Sequence, residues 1–72
     1  MAFATVATGY DGEVVVEHQT DTDGAHRLVV DGVDGDAQPA GRICTFGDYR
    51  GVYVDPLGDP PEIFKITSLI ES

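Results

Sequence analysis

Two histidines and one cysteine are the residues of this chain best suited to site chemistry. His18 and His26 flank the turn-forming stretch "DTDG" at 21–24. If that stretch closes a β-hairpin, both imidazoles stand on one sheet face, directly opposite or diagonal, and reach toward a common point. Imidazole nitrogen and thiolate sulfur are the usual donors to zinc, so His18 and His26 joined by Cys44, or by an acid, would compose a zinc site. No CxxC, HxxxH or HExxH spacing accompanies them. The plainer reading makes the histidines a pair at the rim of the core. It makes Cys44, within "RICTF", a small buried hydrophobe with a raised pKa and little reactivity.

The aspartates raise a second possibility, calcium. The stretch "DTDGAHRLVVDGVDGD" (21–36) has an acidic, glycine-rich spelling, but an EF-type loop needs oxygen ligands at positions 1, 3 and 5, glycine at 6 and glutamate at 12. Counting from Asp21 puts Ala25 at position 5 and His26 at 6; counting from Asp31 puts Val33 and Gly35 at 3 and 5; counting from Asp34 puts Pro39 at 6. Every frame fails. An irregular site on Asp31, Asp34 and Asp36 is the remaining calcium reading, and turn formation explains the same residues more directly. The cofactor expectation is therefore none, with zinc or calcium as the alternative.

Catalysis finds little else to stand on. Ser68 and Ser72 lack a nucleophile-elbow context, no glycine motif matches a phosphate loop, and "DGVDGD" would repel phosphate. Paired carboxylates need a cleft that separates their pKa values, and a domain this small seldom encloses one. The chain is not expected to be an enzyme. "FGDYRGVYV" (46–54) is its most aromatic stretch, and Phe46, Tyr49, Arg50 and Tyr53 are the candidate interface residues, since tyrosine and arginine are enriched where proteins meet. The alternative has Tyr49 and Tyr53 covering a second layer of the fold.

The elements that must position these residues read as strands. "FATVAT" (3–8), "EVVVEHQ" (13–19), "HRLVVDGV" (26–33), "GRICTF" (41–46) and "YRGVYV" (49–54) are short, alternating, and rich in β-branched or aromatic side chains. Glycine, aspartate or proline bounds each one. The segments around 34–40 and 55–61 read as loops. With Thr22, Asp23 and Gly24 as a three-residue hairpin loop, Asp21 pairs with Ala25, Val16 faces Val30 and His18 faces Leu28. A slip of two pairs Val16 with Leu28 instead. Either register keeps Val14, Val16, His18, His26, Leu28 and Val30 on one face; a slip of one would scramble it. In "DPPEIFKITSLIES" (59–72), Asp59, Pro60 and Glu62 spell a helix start, whereas Ile63, Phe64, Ile66, Thr67 and Ile70 favour a strand that closes an open edge. The expected fold is all-β: one domain over 1–72, a small antiparallel barrel or sandwich of five to six strands, with the C-terminal segment a strand and a short helix as the alternative.

Size and charge bound the function. A domain of 72 residues buries only about 60% of the surface its unfolded chain exposes. Such domains lean on disulfides, a metal or a partner. With Cys44 alone, an internal disulfide is impossible. Thirteen acids against four bases give a formal charge of −9, which disfavours direct contact with nucleic acid or anionic membrane. High aspartate with a single lysine, Lys65, reads as a protein of concentrated salt, where self-repulsion is screened within about 3 Å at 1 M. The plainer source of that composition is an acidic protein of a high-GC genome, and a salt titration of stability separates the two.

No run approaches a membrane span, and "MAFATVATGYDGE" lacks the features of a signal peptide. A cytoplasmic setting is expected, with a virion as the alternative. The leading functional expectation is a non-enzymatic structural or protein-interaction module, self-associating or part of a larger assembly. An acidic nucleic-acid mimic that inhibits a DNA-binding protein is the second reading, and a metal- or small-ligand-binding β-barrel the third. Convergence of both imidazoles and the thiol in an enclosed interior would overturn the first.

Overall fold

The computed structural model describes residues 2–53 and the backbone of 62–65. Among the described residues eight strands run in chain order: β1 (Ala4–Asp11), β2 (Val14–Thr20), β3 (Ala25–Val30), β4 (Val33–Asp34), β5 (Gln38–Pro39), β6 (Cys44–Phe46), β7 (Tyr49–Val52) and β8 (Glu62–Lys65). They form two antiparallel sheets. In the first, β1, β2 and β3 lie side by side, and the outer edge of β3 is shared by β4 and β5; the second is β6-β7-β8. The all-β expectation holds. Among the described residues there is no helix, and so none long and apolar enough to cross a membrane.

Turn chemistry explains the first sheet. Gly24 takes a φ of +88° at the end of the β2–β3 loop, and the Asp21 amide bonds to the Ala25 carbonyl. The Asp21 carboxylate accepts from the amides of Asp23 and Ala25, so it serves the turn. This is the three-residue loop, and it selects the first of the two registers: Val16 faces Val30, His18 faces Leu28, and Thr20 faces His26.

β3 ends earlier than its sequence pattern predicts, at Val30. The stretch 26–33 is not a single strand. It breaks at Asp31 and Gly32, with φ of 48° and 81°, and Val33 folds back to pair with Val30. Asp-Gly with both residues at positive φ is the two-residue hairpin turn whose twist matches its strands. Further boundaries differ: β1 runs on to Asp11, three residues past the expected 3–8, because Gly9, Tyr10 and Asp11 continue the ladder with β2. The 34–40 segment, read as loop, contains β5, whose Pro39 and Gln38 pair with Ala25 and His26. The 41–46 strand begins only at Cys44, because Arg42 is held in a turn by the Pro39 carbonyl.

The C-terminal strand expectation holds over Glu62–Lys65, which pairs antiparallel with β7. The helix-start residues Asp59 and Pro60, the 55–61 loop and the apolar positions beyond Lys65 lie outside the described residues. β1 pairs with β2 as an edge strand, with a bulge between Thr5 and Ala7 that leaves Val6 exposed. Between the sheets, Val16, Leu28 and Cys44 form the core cluster, packed by Val14, Val30, Phe46 and Tyr49. The Tyr49 hydroxyl donates to the Asp11 carboxylate at 2.6 Å, a polar tie from β7 to β1.

Candidate metal centre

The hairpin register carries two polar rings into this apolar layer. His18 on β2 faces Leu28, and His26 on β3 faces Thr20, so the imidazoles are diagonal neighbours on the core side. Diagonal pairs are within reach of ring side chains. His18 Nε2 and His26 Nδ1 are 2.7 Å apart, with ring centroids 5.0 Å apart. Cys44, from the opposing sheet, places its Sγ 3.4 Å from His26 Nδ1 and 3.9 Å from His18 Nε2. All three residues have 0% exposure. They are the group of His, Cys, Asp and Glu side chains among the described residues that could hold a metal ion.

The triangle is close to what one ion requires. Zinc bonds of about 2.0–2.1 Å to nitrogen and 2.3 Å to sulfur at tetrahedral angles put donor atoms about 3.3 Å (N to N) and 3.6 Å (N to S) apart. The two sulfur–nitrogen distances straddle that value; the nitrogens must open by about 0.6 Å. A rotation of either ring about its side-chain bonds moves its nitrogen by that much.

The proton positions follow from the partners. His26 Nε2 meets the Arg42 carbonyl, which can only accept. A neutral imidazole carries one N–H, so the proton is on Nε2 and the Nδ1 lone pair faces the cluster. A metal-binding histidine is commonly fixed in this way, its outer nitrogen donating to a backbone carbonyl. The 2.7 Å contact is then a hydrogen bond from His18 Nε2–H to His26 Nδ1. The Cys44 thiol donates to the Gly51 carbonyl at 3.7 Å. Burial pushes its pKa above the ordinary thiol range, while hydrogen bonds with the Cys44 and Gly51 backbone pull weakly the other way.

The shell is shaped for the cluster. Gly51 on β7 lies opposite Cys44. A Cβ built there would sit 2.8 Å from Cys44 Sγ, 3.0 Å from Leu28 Cδ2 and 3.1 Å from His18 Cε1. The Tyr53 ring lies against both imidazoles with steeply inclined planes, 81° to His18 and 61° to His26, at centroid distances of 6.3 Å and 5.5 Å. The amide of Gly41 bonds to the Tyr53 carbonyl, which ties the segment carrying Arg42 to the end of β7. Sequence reasoning singled out neither Gly51 nor the Arg42 carbonyl. An isolated glycine inside a strand pattern signals close approach by another group, and "YRGVYV" contains one; no residue type marks a backbone carbonyl in advance.

The other candidates fall elsewhere. Phe46, Tyr49, Arg50 and Tyr53 do not form one exposed patch. Tyr53 is buried on the histidines, Phe46 and Tyr49 pack against the core cluster, and Arg50 donates to the carbonyls of Gly47 and Tyr49. The tyrosines cover the second layer, and Gly51 shares their inward face. Nor do Asp31, Asp34 and Asp36 converge as a calcium site would require. Asp31 caps the Val15 amide at 3.0 Å, and Asp34 lies 3.5 Å from Arg27.

No family model matches the chain, and no curated protein or solved structure is significantly similar to it. The geometry alone carries the functional reading.

Proposed function

We propose that the chain is a non-enzymatic, metal-stapled β-module: one thiophilic transition-metal ion held by His18, His26 and Cys44 joins its two sheets. One observation carries the reading. Three donor atoms of the right chemistry, from three strands in two sheets, meet within 2.7–3.9 Å in a site closed to solvent. Size supplies the motive, because a domain this small is marginal on its core alone. Burial supports a structural role over a catalytic one. A catalytic ion keeps an open position for water or substrate, and these side chains have no exposed surface through which either could arrive.

The test is metal analysis of the full chain made without a polyhistidine tag, followed by thermal melting with and without a strong chelator. One equivalent of metal and a lower Tm after its removal are expected. At a free-ion concentration a hundred times Kd, binding stabilises the fold by about 2.7 kcal/mol. Absence of stoichiometric metal, together with a melt that added metals leave unmoved, would remove the reading.

Association of the module with itself or a protein partner is the second reading. Among the described residues, the exposed apolar side chains Val6, Tyr10, Val33 and Ile43 are the ones such an interface would cover. Light scattering in low and molar salt addresses it, and a strict monomer in both counts against it.

A further inference from the structure

We infer that the ion held by His18, His26 and Cys44 is monovalent and soft, Cu(I), in preference to Zn(II). The inference rests on the metal-site reading and deepens it by naming the ion. Softness alone does not decide, since thiolate and imidazole accept both ions. Charge in a closed, low-dielectric site does. With the Cys44 thiolate and two neutral imidazoles, Cu(I) gives a complex with no net charge. Zn(II) on the same donors leaves one positive charge uncompensated, in a site whose donor residues have no solvent exposure. Among the described residues the donor group stops at these three, and no carboxylate joins it. Burying an unpaired charge is one of the costliest changes a small fold can make.

The surroundings add to this. Leu28 and Val16 are buried with Cys44, the Tyr53 ring packs at a steep inclination to both imidazoles, and a Cβ at Gly51 would already collide with the thiol. Such an apolar shell suits an ion that three donors satisfy once the two nitrogens have spread, as they do Cu(I), over zinc, which takes a fourth ligand. The acidic surface attracts either cation, but at physiological ionic strength that pull is screened beyond about 8 Å, so desolvation at the donors governs selectivity. Binding forms the copper–sulfur bond, and the thiol proton leaves to solvent. His18 carries its own proton on Nδ1 instead of Nε2, which frees Nε2 for the ion. No electron is exchanged.

The experiment refolds the full chain anaerobically, so that burial does not bar entry, with Cu(I) supplied from a chromogenic chelator. Parallel samples receive Zn(II), or Co(II) as its coloured stand-in. One equivalent of Cu(I) taken from the chelator, a raised Tm, and loss of uptake in Cys44→Ser are expected, with the Co(II) sample showing neither thiolate charge-transfer nor tetrahedral d–d bands. Stoichiometric Co(II) or Zn(II) binding with equal thermal stabilisation would overturn the monovalent assignment and leave the metal-site reading standing. Failure of all three ions to bind would overturn both.

Discussion

His18 Nε2 stands 2.7 Å from His26 Nδ1 across two strands, in the buried layer between the sheets. Two lone pairs at that distance would repel. A single shared proton is what allows both rings to remain there; an ion in its place would spread the two nitrogens by about 0.6 Å. The Arg42 carbonyl decides which nitrogen of His26 faces inward. A backbone atom of the β5–β6 connection therefore sets the donor properties of a β3 side chain.

Gly51→Ala tests the steric side of this arrangement. The added methyl would lie 2.8 Å from Cys44 Sγ and about as close to Leu28 and His18. Overpacking of this kind costs about 1–3 kcal/mol, read as a fall in the denaturation midpoint. Metal uptake should fall with it, because the displaced atoms are two of the donor side chains.

Gly32→Ala tests a purely conformational cost. Nothing lies within 4 Å of a Cβ at this position, yet its φ is +81°. The expected loss is about 1–2 kcal/mol from the left-handed backbone alone. A chemically made chain with D-alanine at 32 should regain it, and equal losses from both enantiomers would contradict the turn assigned to Asp31 and Gly32.

Tyr49→Phe removes the hydroxyl that donates to Asp11 at 2.6 Å while keeping the ring against the core. A loss of about 1 kcal/mol in chemical denaturation is expected. The metal content should not change, which distinguishes this tie between the sheets from the histidine–cysteine cluster.

Cys44 gives the metal-free protein a pH dependence of definite sign. Its folded pKa is raised by burial above the value the thiol has in the unfolded chain. As pH climbs, the unfolded chain gives up the thiol proton first. The stability that the protonated thiol contributes is therefore complete below the unfolded pKa and is lost as pH rises toward the folded one. Melting curves from pH 7 into the alkaline range should fall more steeply for the wild-type chain than for Cys44→Ala; parallel curves would show that the thiol is not buried. Alkylation of Cys44 at neutral pH should be slow until denaturant is added.

Much of this was legible along the chain. The alternation of Val14, Val16 and His18 with Glu17 and Gln19 assigned the faces of β2 without coordinates, and it did so because a strand has a period of two. "DTDG" specified a hairpin and put both histidines on the core side, while "EIFK" read as strand through its β-branched and aromatic content. Local rules of this kind bind a residue to neighbours a few positions away, and they named His18, His26 and Cys44 as a group of candidates.

Whether the candidates meet was a different matter. His18 and Cys44 are 26 positions apart on different sheets, and only the packing of one sheet on the other brings sulfur to nitrogen. The same packing turned Tyr53 and Gly51 inward, a choice that "YRGVYV" leaves open because its two alternating faces are nearly equal in apolar character. Sequence determined which side chains share a strand face. Tertiary structure decided which faces touch, since contact between distant strands depends on the summed burial of the whole chain and not on any local spelling.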